Sequence, residues 1–302
     1  MDNPAFPSLL DERYREIELM VLADMTDWIP VVFTVMSSDR ATERFGMIGE
    51  AGDWVEFLGS TSYDALYEQY NVVATHRQYN SGLIVTRTMM DDDLTGLMRG
   101  DLFEPLINAS VVTRQKHGAR VFNFMTSNDL TFYTHSEAVA LVSNSHTTRT
   151  TGVSTASGFD NLTTDALTPT SYRAARIQFR RLRNDRGNLI DEEADEIWCG
   201  LDRGPEAEEI VGTKQGLNTD FGNINPEYRT AKVYAWNRIT DPNDWAICNS
   251  KLRKKNLRWY DHTKPETRQI ADFETMQIKR AGYMRYSFAR RNHVWIVGAS
   301  VS

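Results

Sequence analysis

From Glu43 to Asp92 the chain lays down about fifty residues that read as strand and turn yet hold few residues able to build a core. Phe45, Met47 and Ile48 lead into a Gly49-Glu50-Ala51-Gly52 turn, and Asp53-Trp54-Val55-Glu56-Phe57-Leu58 mixes acids with large apolar side chains. Tyr63, Tyr67 and Tyr70 follow, then Val72-Val73-Ala74, an Asn80-Ser81-Gly82 signal for a tight hairpin turn, and a returning Leu83-Ile84-Val85-Thr86. An isolated hairpin is marginal in water. A limb of this kind needs a second surface, which points to assembly.

The rest of the chain can build a core. Hydrophobic residues are 41% of 302 positions, and at roughly 100–200 residues per domain two domains are expected. Before the limb, Asp11 to about Ala23 reads as a helix within an arm broken at Asp27-Trp28-Ile29-Pro30. After it, Asp91-Asp92-Asp93 opens a helix; the acids suit its N-terminal dipole better than a metal, since nothing nearby completes a ligand set. Leu94, Leu97, Met98, Leu102, Leu106, Ala109 and Val112 keep helical spacing, Pro105 should kink the helix, Gly118 should stop it, and Val121-Phe122-Asn123-Phe124 reads as strand. Residues 143–165 are a Ser/Thr/Gly-rich loop. Thr168-Pro169 starts a helix with a Tyr172, Ala175, Phe179 and Leu182 stripe, ended by Gly187. Strands dominate from Phe273 onward.

Charge is unevenly spread. The chain carries −7 overall, but residues 1–120 hold 19 acids against 10 bases and residues 250–302 hold 4 acids against 12 bases. Such asymmetry suits nucleic-acid contact or the docking of unlike ends of neighbouring copies, or simply a solvated face. Cys199 and Cys248 are the only cysteines, which excludes a disulfide framework and fits a reducing compartment. No apolar run is long enough to span a membrane, and the first twenty residues do not resemble a secretory signal.

Catalytic patterns are missing. There is no CxxC, no phosphate-binding glycine loop, no GxGxxG and no GxSxG. His135 and His146 flank an apolar segment and read as loop or satisfied core residues rather than ligands. Cys199, beside Trp198, reads as core rather than nucleophile. No cofactor or metal is expected.

Four segments in order carry a family resemblance: Trp54 to Asp93; Ala140-Leu141-Val142-Ser143-Asn144-Ser145-His146 with Asn161-Leu162 and the Asp185-Arg186-Gly187 turn; Asn243-Asp244-Trp245-Ala246-Ile247; and Asp272-Phe273-Glu274-Thr275, Arg285-Tyr286-Ser287-Phe288 and Trp295-Ile296-Val297-Gly298-Ala299-Ser300. The chain resembles the HK97-like phage major capsid proteins, and within them the Mu-like major head subunits. The resemblance implies an α+β fold with an N-terminal arm at 1–42, an E-loop at 43–92, a P-domain at 93–164 with a spine helix over about 93–117, an A-domain at 165–269, and strands at 270–302 returning to the P-domain.

It also implies a function: a non-enzymatic major capsid protein of a tailed double-stranded DNA phage, assembled in the host cytoplasm into the pentamers and hexamers of an icosahedral virion shell. The implied partners are further copies, a portal protein, a separate scaffolding protein, decoration or cement proteins, and weak non-specific contact with packaged DNA, with no membrane. The initiator Met speaks against removal of a propeptide. With no Lys before Lys116, a Lys-mediated covalent weld on the E-loop is excluded. Expected inter-subunit contacts are Trp54, Phe57, Tyr63, Tyr67, Tyr70, Tyr79, Arg77 and Arg87 on the E-loop, and Arg173, Arg176, Arg180, Glu192 and Glu193 on the A-domain. Lys251, Arg253, Lys254, Lys255 and Arg258 form a basic patch toward DNA or a neighbour. The alternatives are an encapsulin-like compartment shell and, further off, a soluble two-domain enzyme or nucleic-acid-binding protein.

Overall fold

Runs of apolar and β-branched residues sort the chain into three sheets, and where each run lies decides whether it is covered on one face or two. The computed structural model describes residues 26–61, 63–92, 104–214, 224–272 and 274–301. The expected helix at 11–23 and the opening of the long helix at 93–103 lie outside these residues.

The first sheet is built on a long antiparallel hairpin of β10 (Leu257–Asp272) and β11 (Gln277–Arg290), paired from Leu257↔Arg290 to Asp272↔Gln277. β1 (Thr34–Ser37) runs parallel to β10, and β4 (Arg77–Thr86) antiparallel to β11. The expected turn at Asn80-Ser81-Gly82 is therefore corrected. These residues sit mid-strand opposite Tyr283, Gly282 and Ala281. Gly82 is not among the glycines at positive φ, and ten successive register pairs with β11 override a local turn preference. An A-domain ending at 269 would also cut the β10–β11 hairpin, so β10 is grouped with β11 instead.

The second sheet has the order β6 (Leu162–Thr163), β12 (Ile296–Ala299), β9 (Trp245–Cys248), β7 (Glu196–Cys199), β8 (Lys232–Ala235). Every residue of β7, β9 and β12 is buried, as expected of strands covered on both faces. Ile197, Cys199, Trp245, Ile247 and Val297 point into one core, with Phe179 and Ile210. Trp198, Ala246, Cys248 and Ile296 point into the other, with Phe122 and Trp236. The alternation follows from the two-residue period of a strand. The third sheet is β2 (Thr42–Phe45), β3 (Val72–Thr75) and β5 (Tyr133–His135).

Helices α1 (Ile29–Val32), α2 (Arg87–Asp91), α3 (Glu104–Asn123), α4 (Pro169–Arg180), α5 (Gly204–Gly212) and α6 (Ser250–Asn256) complete the described chain. α4 begins as its sequence implies: Thr168 Oγ1 accepts from the Ser171 backbone N–H at 3.1 Å, while Ser171 Oγ accepts from Thr168 N–H at 2.9 Å.

The kink expected at Pro105 turns on the residues before Glu104, which lie outside the described ones; two other helix expectations are corrected. Gly118 does not stop the helix, which runs to Asn123 and takes in Val121, Phe122 and Asn123 of the strand expected at 121–124. Its missing side chain instead lets α1 approach, since a Cβ there would lie 2.6 Å from Ile29 Cδ1. Asp91 ends α2, which Thr86 caps by accepting from Met89 N–H at 3.3 Å; the helix that the acid run was expected to open begins beyond Asp92, outside the described residues. α3 is fastened to the first sheet by Arg114–Asp261 at 3.1 Å and by a 2.6 Å hydrogen bond between His117 Nδ1 and the Tyr286 hydroxyl.

Candidate assembly surface

The limb divides into a root tied to the body of the chain and a tip whose large apolar side chains are exposed. At the root, β3 is sandwiched between β2 and β5. Farther out the two arms still pair: Gln69 N–H donates to the Met47 carbonyl at 2.7 Å and Gly49 N–H to the Tyr67 carbonyl at 2.8 Å.

A turn of the sequence-distant segment 184–188 then grips both arms. Asp185 accepts from Glu50 N–H at 3.1 Å and from the Gln69 amide at 3.2 Å. Arg186 donates to the carbonyls of Glu50 at 2.9 Å and Ala65 at 2.7 Å, pairs with Asp64 at 2.5 Å, and lies 5.3 Å over the Tyr67 ring. Gly52 N–H donates to Asp64 at 2.8 Å. That bond closes a loop at 53–63 whose base is held further by the Asn188 amide donating to Asp53 at 2.9 Å.

On that loop Trp54 is 99% and Tyr63 92% exposed, and Val55, Phe57 and Leu58 are exposed with them. Apolar groups gathered like this mark an interaction surface rather than a random sprinkling, and Trp and Tyr are the side chains that contribute most per residue to interfaces. Of the expected limb contacts, Trp54, Phe57 and Tyr63 are thus available to a neighbour. Tyr67 and Tyr70 are half-buried; Tyr70 bonds Thr147 and lies 5.2 Å under the Arg149 guanidinium. Arg77 donates to the Thr131 carbonyl at 2.9 Å, and Arg87 pairs with Asp91 at 3.4 Å on the surface. Tyr79 is a correction. It stacks on Tyr286 at 5.1 Å and lies 4.7 Å from His117, inside its own subunit, because β4 is a sheet strand rather than a hairpin arm.

The expected A-domain charges close largely within the chain. Buried Glu227 accepts from Arg173 at 2.9 Å and Arg176 at 2.5 Å, and Glu193 pairs with Arg176 and Arg180, each at 3.4 Å. Glu192 accepts from the Asn249 amide at 3.2 Å. In the basic patch, Lys251, Lys254 and Lys255 on α6 are exposed and Arg258 is half-buried. Arg253 is a second correction: it is 1% exposed and forks onto Glu196 at 2.7 and 2.8 Å, so it belongs to the core. Burial pushes the Cys199 thiol up to about 11 and the Cys248 thiol well above its ordinary value, so neither is an activated nucleophile. No helix among the described residues is long and apolar enough to cross a membrane.

The Asp185–Arg186 grip and Glu227 were missed as site residues. The former was visible only as a turn, and nothing in the neighbourhood of Glu227 announces its partners more than fifty residues upstream.

No protein-family model and no curated protein matches the chain. Solved structures do. The bacteriophage JBD30 capsid chain is similar with a TM-score of 0.57 at 16% identity, over 80% of this chain and 100% of that one. The capsid of the native GTA particle gives 0.57 at 10% identity over 92% and 91%. The SrpI encapsulin of Synechococcus elongatus gives 0.52 at 10% identity over 91% and 87%. The chain has the HK97-like capsid fold.

Proposed function

We propose that this chain is the major capsid protein of a tailed double-stranded DNA bacteriophage, one subunit of the pentamers and hexamers that enclose a genome. The observation that carries this reading is the limb: a fold otherwise shared with capsid chains holds out a loop whose Trp54, Phe57 and Tyr63 stay exposed among the described residues. Leaving such side chains in water is unfavourable by about 1.5–3 kcal/mol each, and repeated contacts between unlike surfaces that close on themselves make a shell. The segment order supports the narrower kinship with Mu-like head subunits.

In this reading residues 1–42 are the arm, 43–92 the E-loop with its root in the sheets, 93–164 the spine helix and P-domain, and 165–256 the A-domain. Residues 257–290 belong with the P-domain, and β12 returns to the A-domain sheet. The role is structural rather than enzymatic and belongs to the virion. Portal, scaffolding and decoration proteins are its partners, and Lys251, Lys254 and Lys255 are the candidates for salt-sensitive contact with DNA or an acidic neighbour. A compartment shell holding protein cargo is the second reading, favoured by the likeness to the encapsulin.

The test removes the loop and spares the sheet. Replacing residues 53–63 by two glycines, across the gap the Gly52–Asp64 bond already closes, should leave a folded subunit of unchanged circular dichroism. That subunit should sediment as monomers or small rings while the parent chain forms megadalton particles. Normal shells from the deleted chain would refute the role. Nucleic acid or a co-purified enzyme inside parent particles separates the two readings.

A further inference from the structure

Two histidines far apart in sequence lie face to face at the foot of the limb. The His146 and His293 rings are 3.6 Å apart and within 4° of parallel, and both residues are buried. His146 Nδ1 is 3.1 Å from the Glu137 carboxylate and its Nε2 is 3.2 Å from the Leu141 carbonyl. Both partners are acceptors, so only a doubly protonated ring satisfies both. Among the described residues, His293 Nε2 is buried with no hydrogen-bond partner.

A shared metal ion does not fit this arrangement, although ligand atoms of Glu137, His146 and His293 lie within 4.8 Å of one another. Imidazole lone pairs lie in the ring plane, and an ion in the plane of one stacked ring is out of the plane of the other.

We propose that the His146–His293 stack is a proton-operated latch that holds the limb's root to the body of the subunit. With one proton on the pair, a cationic ring rests on a neutral one and the stack is attractive. A second proton, on His293, places two buried cations 3.6 Å apart, with Glu137 as the carboxylate in direct contact with the pair. The remaining charged and titratable surroundings are His135 beside Glu137, Arg290 and Arg291 at the end of β11, and Glu50, Arg183, Asp185 and Lys255 across the adjoining cleft. Burial first, with Arg290 and the neighbouring histidines acting in the same direction, holds His293 well below the ordinary histidine value, so His293 is neutral and the stack is closed at neutral pH.

What the latch holds is specified by the next four residues. Thr147 N–H donates to Glu137 at 3.0 Å and its hydroxyl bonds Tyr70. Arg149 N–H donates to the Gln69 side-chain oxygen at 3.2 Å, and the Gln69 amide donates to Thr150 at 2.9 Å. Parting the rings therefore loosens Gln69 and Tyr70, where the limb leaves the body.

Hydrogen exchange on the full chain, corrected for intrinsic rates and stepped from about pH 7.5 to about pH 4, reads this directly. Peptides spanning 66–71 and 137–150 should gain about tenfold or more in exchange before the strands of the second sheet open. His293→Phe keeps a stacking ring without a titratable nitrogen and should abolish that step. An unchanged acid step in His293→Phe, or none in the parent chain ahead of global unfolding, overturns the latch. So does protection of the same peptides by stoichiometric zinc at neutral pH, which would make the cluster a metal site. Should His293→Phe fail to fold, the carbon-bound ring protons of His293 in the parent chain decide by NMR: titration at the ordinary histidine value, or without coincident shifts in Gln69 and Tyr70, also overturns it.

Discussion

Arg253 and Glu196 sit in the core as a forked pair, and neither has water to fall back on. Arg253 also donates to the carbonyls of Val31 at 2.8 Å and Val32, while Glu196 accepts from the Trp198 indole at 2.9 Å. One side chain thus ties the segment after Trp28 to α6 and to β7. Removing it strands a buried carboxylate and two carbonyls, so Arg253→Ala should lower stability by about 3–5 kcal/mol in urea titration; a loss near zero would mean the pair is solvated. Gly298 is constrained differently. A Cβ there would meet Val142 Cγ2 at 2.8 Å and Met125 Sδ at 3.0 Å, so Gly298→Ala should cost about 1–3 kcal/mol through overpacking in a strand that is otherwise wholly buried.

Among the elements, the grip of the 184–188 turn on the limb is polar, with Arg186 14% and Asp64 48% exposed, so it orders the limb without burying the apolar area that global stability draws on. Arg186→Ala removes three anchors at once, on Glu50, Asp64 and Ala65. Protease cleavage within 50–65 should rise severalfold while the melting temperature moves by only about 1–2 °C. Equal protection in both proteins would show that the limb is held elsewhere. β4 behaves oppositely. Ten register pairs with β11 make it part of the first sheet, so a deletion reaching past residue 71 removes structure rather than a free arm.

At the scale of the whole molecule, acid works against the fold. Burial is the largest cause lowering His76, His117, His135 and His293, with His117 and His135 each held at about 4. A histidine whose folded value lies below its unfolded value of about 6.5 is protonated first in the unfolded chain. Its contribution is therefore fully present above that value and is lost as pH falls from about 6.5 toward about 4. For His135 alone the loss at about pH 5 is roughly 2 kcal/mol. Urea midpoints should fall steadily across this window, and a flat profile down to pH 5 would contradict the burial of these rings. If subunits close into a shell, burial of the 53–63 loop adds a stabilising term that depends on protein concentration.

Local chemistry was enough to place much of the framework. Thr168-Pro169 had to start a helix, strands had to dominate from Phe273 onward, and a Trp- and Tyr-bearing limb poor in core residues had to seek another surface. These follow from capping, from hydrophobic period and from the cost of exposed apolar area, all of which are properties of a few adjacent residues. Only the tertiary structure decided that Asn80-Ser81-Gly82 is a straight strand, that Gly118 is a contact point, that Arg253 is core, and that Glu227, Asp185 and the His146–His293 stack exist as sites. Each of those depends on what lies opposite, and the partner comes from thirty-odd to more than two hundred residues away, where local spacing carries no signal.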